Sequence, residues 1–230
     1  MNDQIYLIGD IHGCYKTLCA LIDRLPRGAD SKICFVGDLI DRGEGSFEVV
    51  QLVMQRGYAA VMGNHEYRLL QHKDAFLRGE MPSDPRWFYL NGGAQTFASY
   101  AKASRAQKLA HIEFLLNLPF YLEFDEFKNA QGRRLVVSHS AIGRMWALRN
   151  SHGDSAAEFR RHVLCGRGDF SQNDDVFNVY GHTPIAEPDI TEFGANIDTG
   201  CVYRHDFGHL CALEFPSMRV FMQENIEEGG

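Results

Sequence analysis

Short apolar runs alternate with segments of helical periodicity over the first part of this 230-residue chain. The apolar runs at residues 5–8, 33–36 and 59–62 are each followed by a glycine and a polar residue, as in a strand that ends in a tight turn. Between them, residues 14–25 and 46–56 carry apolar side chains three and four positions apart, which is helical spacing. Strands that alternate with helices predict a parallel sheet whose loops meet at the carboxyl edge of the strands.

The middle of the chain, residues 66–118, is predicted to be mostly helical and to form a cap inserted into the domain. Its helices are interrupted by Pro82, Pro85 and a Gly-Gly pair, and Pro119 closes the segment. Further strands are predicted at 120–124, 135–138, 176–180, 195–197, 210–215 and 219–222, with one helix at 156–164. We expect a single domain over residues 1–230 and a frayed tail at 224–230.

Composition narrows the class of protein. The chain is 45% hydrophobic, as in globular proteins, and 30 acidic against 23 basic residues give a net charge of −7. This balance argues against nucleic acid or membrane as a partner. Six cysteines without a Cys-x-x-Cys pair, and the lack of a signal-like start, favour a cytoplasmic protein with reduced thiols. We expect a monomer.

Polar side chains follow five of the apolar runs, and a glycine directly precedes the first polar residue in four of these blocks. The polar residues are Asp10, His12, Asp38, Asn64, His65, His139 and His182. Carboxylate, amide oxygen and imidazole without thiolate form a ligand set that suits Mn²⁺, Fe or Zn²⁺. Taken singly, each block is more often a turn or a packed histidine, but five together favour a metal site.

The blocks resemble the ordered signature of the phosphoprotein phosphatase branch of the calcineurin-like metallophosphatases. The matching segments are Gly-Asp-Ile-His-Gly at 9–13, Gly-Asp-Leu-Ile-Asp-Arg-Gly at 37–43, Gly-Asn-His-Glu at 63–66, His139 and Gly-His-Thr at 181–183. Leu-Asn-Gly-Gly at 90–93, Leu-Pro at 118–119 and Ile-Asp-Thr-Gly at 197–200 are similar to the bacteriophage lambda and small bacterial Ser/Thr phosphatases. The resemblance implies an α/β fold: a four-layer α-β-β-α sandwich with a dinuclear metal site at the strand C-terminal ends and a helical cap.

The resemblance also implies how two divalent ions, most simply Mn²⁺, are held. Asp10, His12 and Asp38 would bind the first ion, while Asp38, Asn64, His139 and His182 would bind the second. It implies hydrolysis of phosphomonoesters by direct attack of a metal-bridging hydroxide, without a phosphoenzyme. Phosphorylated proteins or peptides, or small phosphoesters, would be the substrates.

Four further residues are assigned roles in catalysis near the predicted ions. His65 directly follows a ligand and is assigned as the general acid that protonates the leaving alkoxide. Asp41 resembles the family carboxylate that orients this histidine, and Arg42 and Arg167 resemble the arginines that hold the phosphoryl oxygens. Two bound dications with these arginines would make one cleft positive within an acidic surface.

Several functions remain open on the sequence. Glu66 after His65 favours a Ser/Thr protein phosphatase over the sister activity, symmetrical cleavage of bis(5'-nucleosyl) tetraphosphates, where Asp is typical. His205 and His209 superficially match a zinc-protease motif, but Gly208 argues against the helix that it requires. A metal-binding adaptor without turnover is disfavoured because His65, Asp41 and Arg42 are all present.

Overall fold

Two five-stranded mixed sheets form the centre of the protein, as seen in a computed structural model that describes residues 4–167 and 173–228. The first sheet contains β1 (Ile5–Ile8), β2 (Ile33–Phe35), β3 (Ala59–Ala60), β9 (His209–Phe215) and β10 (Arg219–Glu224). The second contains β4 (Tyr121–Lys128), β5 (Arg134–Ser138), β6 (Val176–Tyr180), β7 (Asp189–Ile190) and β8 (Gly194–Asn196). Their orders are β10-β9-β1-β2-β3 and β4-β5-β6-β8-β7.

The helices surround this pair of sheets. They are α1 (Tyr15–Asp23), α2 (Ser46–Arg56), α3 (Asn64–Gln71), α4 (Lys73–Arg78), α5 (Pro85–Leu90), α6 (Gly93–Ser99), α7 (Arg105–Leu116) and α8 (Gly153–Cys165). Five of them, α3 to α7, follow one another in the middle of the chain, where the sequence predicts a helical insert. None of the helices in the two described ranges is long and apolar enough to cross a membrane.

The four-layer architecture is confirmed by how side chains alternate along the strands. Leu7 of β1 packs between the sheets with Val137 of β5, whereas Ile8 faces outward against Leu21 of α1. On the opposite side of the molecule, Val163 of α8 covers the outer face of the second sheet. The layers are therefore helices, sheet, sheet and helices, because each sheet has two apolar faces to cover.

Parallel pairing places the site at one edge of each sheet. The parallel pairing predicted for the first three strands is confirmed, since β1 pairs with β2 and β2 with β3 in parallel. In the second sheet, β5 pairs with β6 and β6 with β8 in parallel as well. Strands β9, β10, β4 and β7 run antiparallel to their neighbours. Strand β7 and a 3₁₀ turn at Gly143–Leu148 have no counterpart in the predicted elements.

The expectation of a frayed tail from residue 224 is wrong as far as the described chain extends. Asn225 is buried and its side-chain amide donates to the backbone oxygen of Cys201 over 2.7 Å. The carboxylate of Glu227 accepts from the backbone nitrogen and the hydroxyl of Thr17, at 2.9 and 3.1 Å. Polar side chains dock this segment through specific hydrogen bonds, which an apolar pattern does not indicate.

Candidate metal centre and catalytic site

The predicted metal-binding residues meet where the two sheets end. Asp10 and His12 follow β1, Asp38 follows β2, and Asn64 follows β3 at the start of α3. The second sheet contributes His139 after β5 and His182 after β6. The six residues come from five chain segments, yet the parallel strands bring their ends to a common edge.

Backbone conformation at this edge is unusual for residues with side chains. Five site or near-site residues adopt positive φ angles, namely His12, Asp38, Asp41, Arg42 and His182, at 48° to 72°. Such left-handed conformations cost energy for residues other than glycine and concentrate at functional sites. Here they turn the chain sharply after a strand and aim the side chain into the cleft.

Three donor atoms from different segments form one tight cluster. The Oδ1 atom of Asn64 lies 2.8 Å from Nε2 of His139 and 2.9 Å from Nδ1 of His182, and the two ring nitrogens are 3.1 Å apart. The carboxylate of Asp38 approaches the same His139 nitrogen at 3.4 Å. This group matches the second ion site that the family resemblance implies.

The other oxygen of Asp38 faces a second group. It lies 3.5 Å from Nε2 of His12 and 3.9 Å from Nε2 of His65. Asp38 is thus common to both groups that could hold an ion. Asp10 belongs to neither of these two groups, and its carboxylate accepts a hydrogen bond from the backbone nitrogen of His182 over 3.2 Å.

The charges of the site favour bound cations. Burial, together with the carboxylates of Asp198 and Asp38, raises the pKa of Asp10 well above its usual range. Burial likewise raises the pKa of Asp198 to about 7. Three buried carboxylates this close repel one another unless positive charge compensates them, so the residues present fit divalent ions.

The histidines are held in the form that binds metals. Burial lowers the pKa of His12 well below 6.5 and that of His182 to about 3, which keeps both imidazoles neutral. Nδ1 of His12 lies 2.9 Å from the backbone oxygen of Ile40, which leaves its Nε2 for the site. A backbone carbonyl beyond the ring orients a metal-binding histidine in this way in many proteins.

His65 and Asp41 form a closely coupled pair at the edge of the cluster. Nδ1 of His65 lies 2.6 Å from Oδ2 of Asp41. Burial opposes the charged ring, but the carboxylates of Asp38 and Asp41 outweigh it and raise the pKa of His65 above 6.5. A raised pKa and a fixed orientation are what a general acid requires.

Two residues of the helical insert hold Asp41 in place. The indole nitrogen of Trp87 donates to Oδ2 of Asp41 over 2.7 Å, and the hydroxyl of Thr96 donates to Oδ1 over 2.5 Å. Neither residue has a local sequence signal for this role, because each lies more than 45 positions from Asp41. The insert therefore orients the pair formed by His65 and Asp41 as well as covering the domain.

Arg42 reaches the centre of the site. Its guanidinium contacts Nε2 of His12 and lies 5.3 Å from the ring of Tyr203. Its backbone nitrogen donates to the oxygen of Gly92 over 3.2 Å. Because Tyr203 belongs to the loop at 201–209, that loop borders the site.

A cavity of about 950 Å³ opens above the metal-binding residues. Among the described residues that line it are six arginines: Arg42, Arg68, Arg86, Arg160, Arg161 and Arg167. The acidic residues in the same lining are Asp38 and Asp84, and Asp84 pairs with Arg68 at 3.1 Å. Arg167 is exposed at this wall, in agreement with its predicted position, and the sequence did not single out four of the other arginines.

Glu66 does not face the cleft. Its side chain is fully buried and accepts hydrogen bonds from the backbone nitrogens of Asp38, Leu39 and Gly63 at 2.8 to 2.9 Å. It therefore fixes the loop that carries Asp38. Glu66 cannot contact a substrate directly, so the argument from Glu66 for a protein phosphatase loses its physical basis.

The other histidines lie outside the site or have structural contacts. His205 lies in a turn and His209 begins β9, so the two do not share a helix face. His111 is buried against Tyr100, and His72 stacks on Trp87. Asp198 was missed as a site residue, although it follows an apolar strand as the ligands do. Residues 168 and 169 of an Arg-Gly-Asp tripeptide lie outside the described residues.

Comparison with known proteins agrees with this geometry. Residues 4–197 match the family model of the calcineurin-like phosphoesterases. The chain is 33% identical to a protein of Halalkalibacterium halodurans named asymmetrical bis(5'-nucleosyl)-tetraphosphatase PrpE, over 94% of this chain and 91% of that protein. A protein of the same name from Geobacillus thermodenitrificans is also 33% identical, with the same coverage.

Solved structures show the same fold. A protein described as a candidate diadenosine tetraphosphatase superposes with a TM-score of 0.67 at 19% identity, over 99% of this chain and 96% of that chain. A protein serine/threonine phosphatase of Saccharomyces cerevisiae gives 0.61 at 14% identity, over 99% and 82%. At these identities the likeness concerns the fold alone.

These relatives change one expectation. The predicted likeness to lambda-type protein phosphatases gives way to relatives named tetraphosphatases, within the same superfamily. The match over residues 4–197, the shared carboxylate and the two clusters of donor atoms agree with one another. The chain belongs to the calcineurin-like phosphoesterase family and is a metal-dependent phosphoesterase.

Proposed function

We propose that this enzyme hydrolyses dinucleoside polyphosphates and cleaves bis(5'-nucleosyl) tetraphosphates asymmetrically, into a nucleoside triphosphate and a nucleoside monophosphate. The observation that carries the proposal is the surplus of arginine around the cavity. A single phosphoryl group needs the charge of the metal centre and about two arginines, whereas six arginines in one lining suit a chain of phosphates. The names of the relatives favour this reaction over the symmetrical cleavage that the sequence left open.

Different residues of the chain have different roles in the proposed hydrolysis. Divalent ions at the two clusters, with Mn²⁺ as our expectation, would supply positive charge that activates water and neutralises phosphoryl oxygens. Arg42 holds oxygens of the reacting phosphoryl group, since its guanidinium lies beside His12. His65 donates a proton to the leaving oxygen, oriented by Asp41 at 2.6 Å.

Serine/threonine phosphatase activity stays the second candidate because of this acid pair. A serine or threonine alkoxide is a poor leaving group and gains most from protonation, while a polyphosphate leaves readily without it. The short contact between His65 and Asp41 is the feature that fits a phosphoserine substrate. In that case phosphorylated proteins or peptides would be the partners.

A substrate panel separates the two candidates. Purified, Mn²⁺-loaded enzyme is assayed with diadenosine tetraphosphate, a phosphoserine peptide and p-nitrophenyl phosphate, and the nucleotides are resolved by anion exchange. We expect ATP and AMP in equal amounts, with a higher kcat/KM than for the peptide. Two ADP would show symmetrical cleavage, and activity on the peptide alone would show a protein phosphatase.

Two variants serve as controls for that panel. Asp38→Asn removes the carboxylate common to both donor clusters and should lower every activity by at least about 10²-fold. His205→Ala, in the loop beside the site, should retain activity. Loss of activity in His205→Ala with an active Asp38→Asn variant would contradict the assigned metal centre.

A further inference from the structure

Helix α8 carries a row of arginines into the cavity. Ala157, Arg160, Arg161, Leu164 and Cys165 line it, and Arg167 follows just after the helix. The helical positions are spaced by three, one, three and one residues, so they share one face of the helix. This face of α8 forms one wall of the cavity above the metal-binding residues.

The C-terminal end of α8 is the end nearest to the metal centre. The backbone nitrogen of Ser140, next to the ligand His139, donates to the oxygen of Val163 over 2.8 Å. Nε2 of His162 lies 2.9 Å from the oxygen of Ala141. With a rise of about 1.5 Å per residue, residues 160 and 161 lie roughly one turn farther from the metals than Leu164 and Cys165.

The opposite wall has a similar arrangement. Arg68 lies four residues after the ligand Asn64 on α3, which is about one turn away from the metal centre. Arg86 of α5 lines the same cavity. Cations thus stand on both sides of the cavity, one turn beyond the residues that hold the ions.

These arginines have little competing negative charge. Within residues 4–167 and 173–228, no carboxylate forms an ion pair with Arg86, Arg160, Arg161 or Arg167. The lining residues after β6 and β8, His182, Pro184 and Tyr203, include no arginine or lysine. Among the described residues that line the cavity, the arginines other than Arg42 therefore lie on the walls made by α8, α3 and α5.

We infer that Arg160 and Arg161 form a distal phosphate subsite that holds the polyphosphate leaving group, and that water attacks the α-phosphorus of the dinucleotide. The inference rests on the proposed function. The new bond joins the water oxygen to this phosphorus, and the bond to the α,β-bridging oxygen breaks. That oxygen keeps the electron pair and receives a proton, so the products are AMP and ATP.

The positions of the arginines around the cavity favour attack of water at the α-phosphorus over attack at the β-phosphorus. Attack there leaves three phosphates together on one side of the reacting atom, where the arginine walls can bind them. Attack at the β-phosphorus would divide the remaining phosphates. Those that lie toward His182, Pro184 and Tyr203 would meet no arginine of the lining except Arg42. Charge-assisted contacts to a linear polyphosphate are the strongest interactions that this cavity offers.

The subsite is tested by binding of inorganic tripolyphosphate, measured by titration calorimetry on the purified full-length protein. The double variant Arg160→Gln/Arg161→Gln should bind it at least about tenfold more weakly than the wild type, while orthophosphate binding changes less. The matched control is Lys102→Gln/Arg105→Gln, which removes two exposed charges away from the cavity and should bind within about twofold of the wild type. Equal affinity in the Arg160→Gln/Arg161→Gln variant and the wild type would overturn the subsite.

The site of attack is tested with diadenosine tetraphosphate in H₂¹⁸O and mass spectrometry of the products. Label in AMP supports attack at the α-phosphorus, and label in ATP overturns it. The double variant should lose more kcat/KM for the dinucleotide than for p-nitrophenyl phosphate, by about tenfold. If the wild type leaves the dinucleotide intact, the proposed function and the site of attack both fail. The binding experiment still decides whether the subsite exists.

Discussion

Asp41 is a buried residue whose carboxylate is held in place by three neighbouring side chains. Its two carboxylate oxygens are taken by His65, Trp87 and Thr96, so the side chain has one orientation. That orientation fixes His65 and favours its charged form. At the scale of the residue, the chemistry of the cleft therefore depends on donors that come from the helical insert.

Replacement of His65 tests its role as acid against a role as metal ligand. The structure places His65 beside His12 and Asp38, a group that could hold an ion. We expect His65→Asn to retain its metal content, because Nδ1 already contacts Asp41 and Nε2 is 3.9 Å from Asp38. Activity on alkyl phosphates should fall about 10² to 10⁴-fold, and activity on aryl phosphates much less.

Metal content by mass spectrometry and kcat for a series of leaving groups provide the measurements for that variant. His152→Asn, at an exposed position, is the matched control and should behave as the wild type. Loss of one ion per chain in the His65→Asn protein would make His65 a ligand. An equal loss of kcat across leaving groups would rule out proton donation.

The contact between the helical insert and the loop that carries Arg42 depends on a glycine. Gly92 has a φ of 89°, and a Cβ atom there would lie 2.2 Å from the backbone nitrogen of Arg42. We expect Gly92→Ala to displace Arg42 and lower kcat/KM by at least about tenfold. Gly79→Ala is the control, because its φ of 69° is also left-handed but nothing lies within 4 Å.

Both alanine variants should lose roughly 1 kcal/mol of unfolding free energy from backbone strain, and Gly92→Ala should lose more because its Cβ also meets the backbone of Arg42. The kinetic loss should appear in Gly92→Ala alone, as measured by steady-state kinetics beside urea unfolding. Equal activity of the two variants would show that the insert does not position Arg42.

A buried histidine couples helices α2 and α7 and makes their packing sensitive to pH. Nδ1 of His111 lies 2.8 Å from the hydroxyl of Tyr100, and Nε2 lies 3.1 Å from Oε1 of Gln51. Burial lowers the pKa of His111 from 6.5 to about 4. The unfolded chain therefore binds this proton first, so stability is complete above pH 6.5 and falls as the pH decreases toward 4.

His111→Gln removes this titration. We compare the unfolding free energy of the wild type with that of His111→Gln at each pH. The wild-type value relative to the variant should be roughly 2 kcal/mol lower at pH 5 than at pH 7. Urea unfolding at both pH values gives the measurement, with exposed His152→Gln as a control that keeps the wild-type slope. A constant difference between the wild type and His111→Gln would show that His111 does not resist protonation.

Over the whole molecule, the predicted metal-binding residues come from both sheets. Asp10, His12, Asp38 and Asn64 follow strands of the first sheet, whereas His139 and His182 follow strands of the second. Ions bound by both sets stabilise the folded state by about 2.7 kcal/mol at a free metal concentration of one hundred times Kd. Chelation should therefore weaken the whole domain and not one loop.

Thermal unfolding after chelator treatment tests this link. The melting temperature should rise by about 5–10 °C when Mn²⁺ is restored. The Asp38→Asn protein should respond much less, because it lacks the carboxylate common to both clusters. A wild-type melting temperature that is independent of Mn²⁺ would contradict a metal centre that bridges the sheets.

The sequence by itself determined the described strands other than β7, the parallel pairing of the first three strands and the residues at the strand ends. Each of these follows from neighbours only a few positions apart, since an apolar run and the polar residue after it are read together. Asp10, His12, Asp38, Asn64, His139 and His182 were all found in this way.

Only the tertiary structure decided which distant residues support those ligands. Trp87 and Thr96 reach Asp41, Glu66 is buried away from the cleft, and Arg160 joins the cavity from a helix far along the chain. Such contacts have no period or spacing in the sequence, because they depend on how helices pack against the sheets. The net charge of −7 likewise gave no indication of a cavity lined with arginine. A sum over the chain does not show where the charges lie in the folded protein.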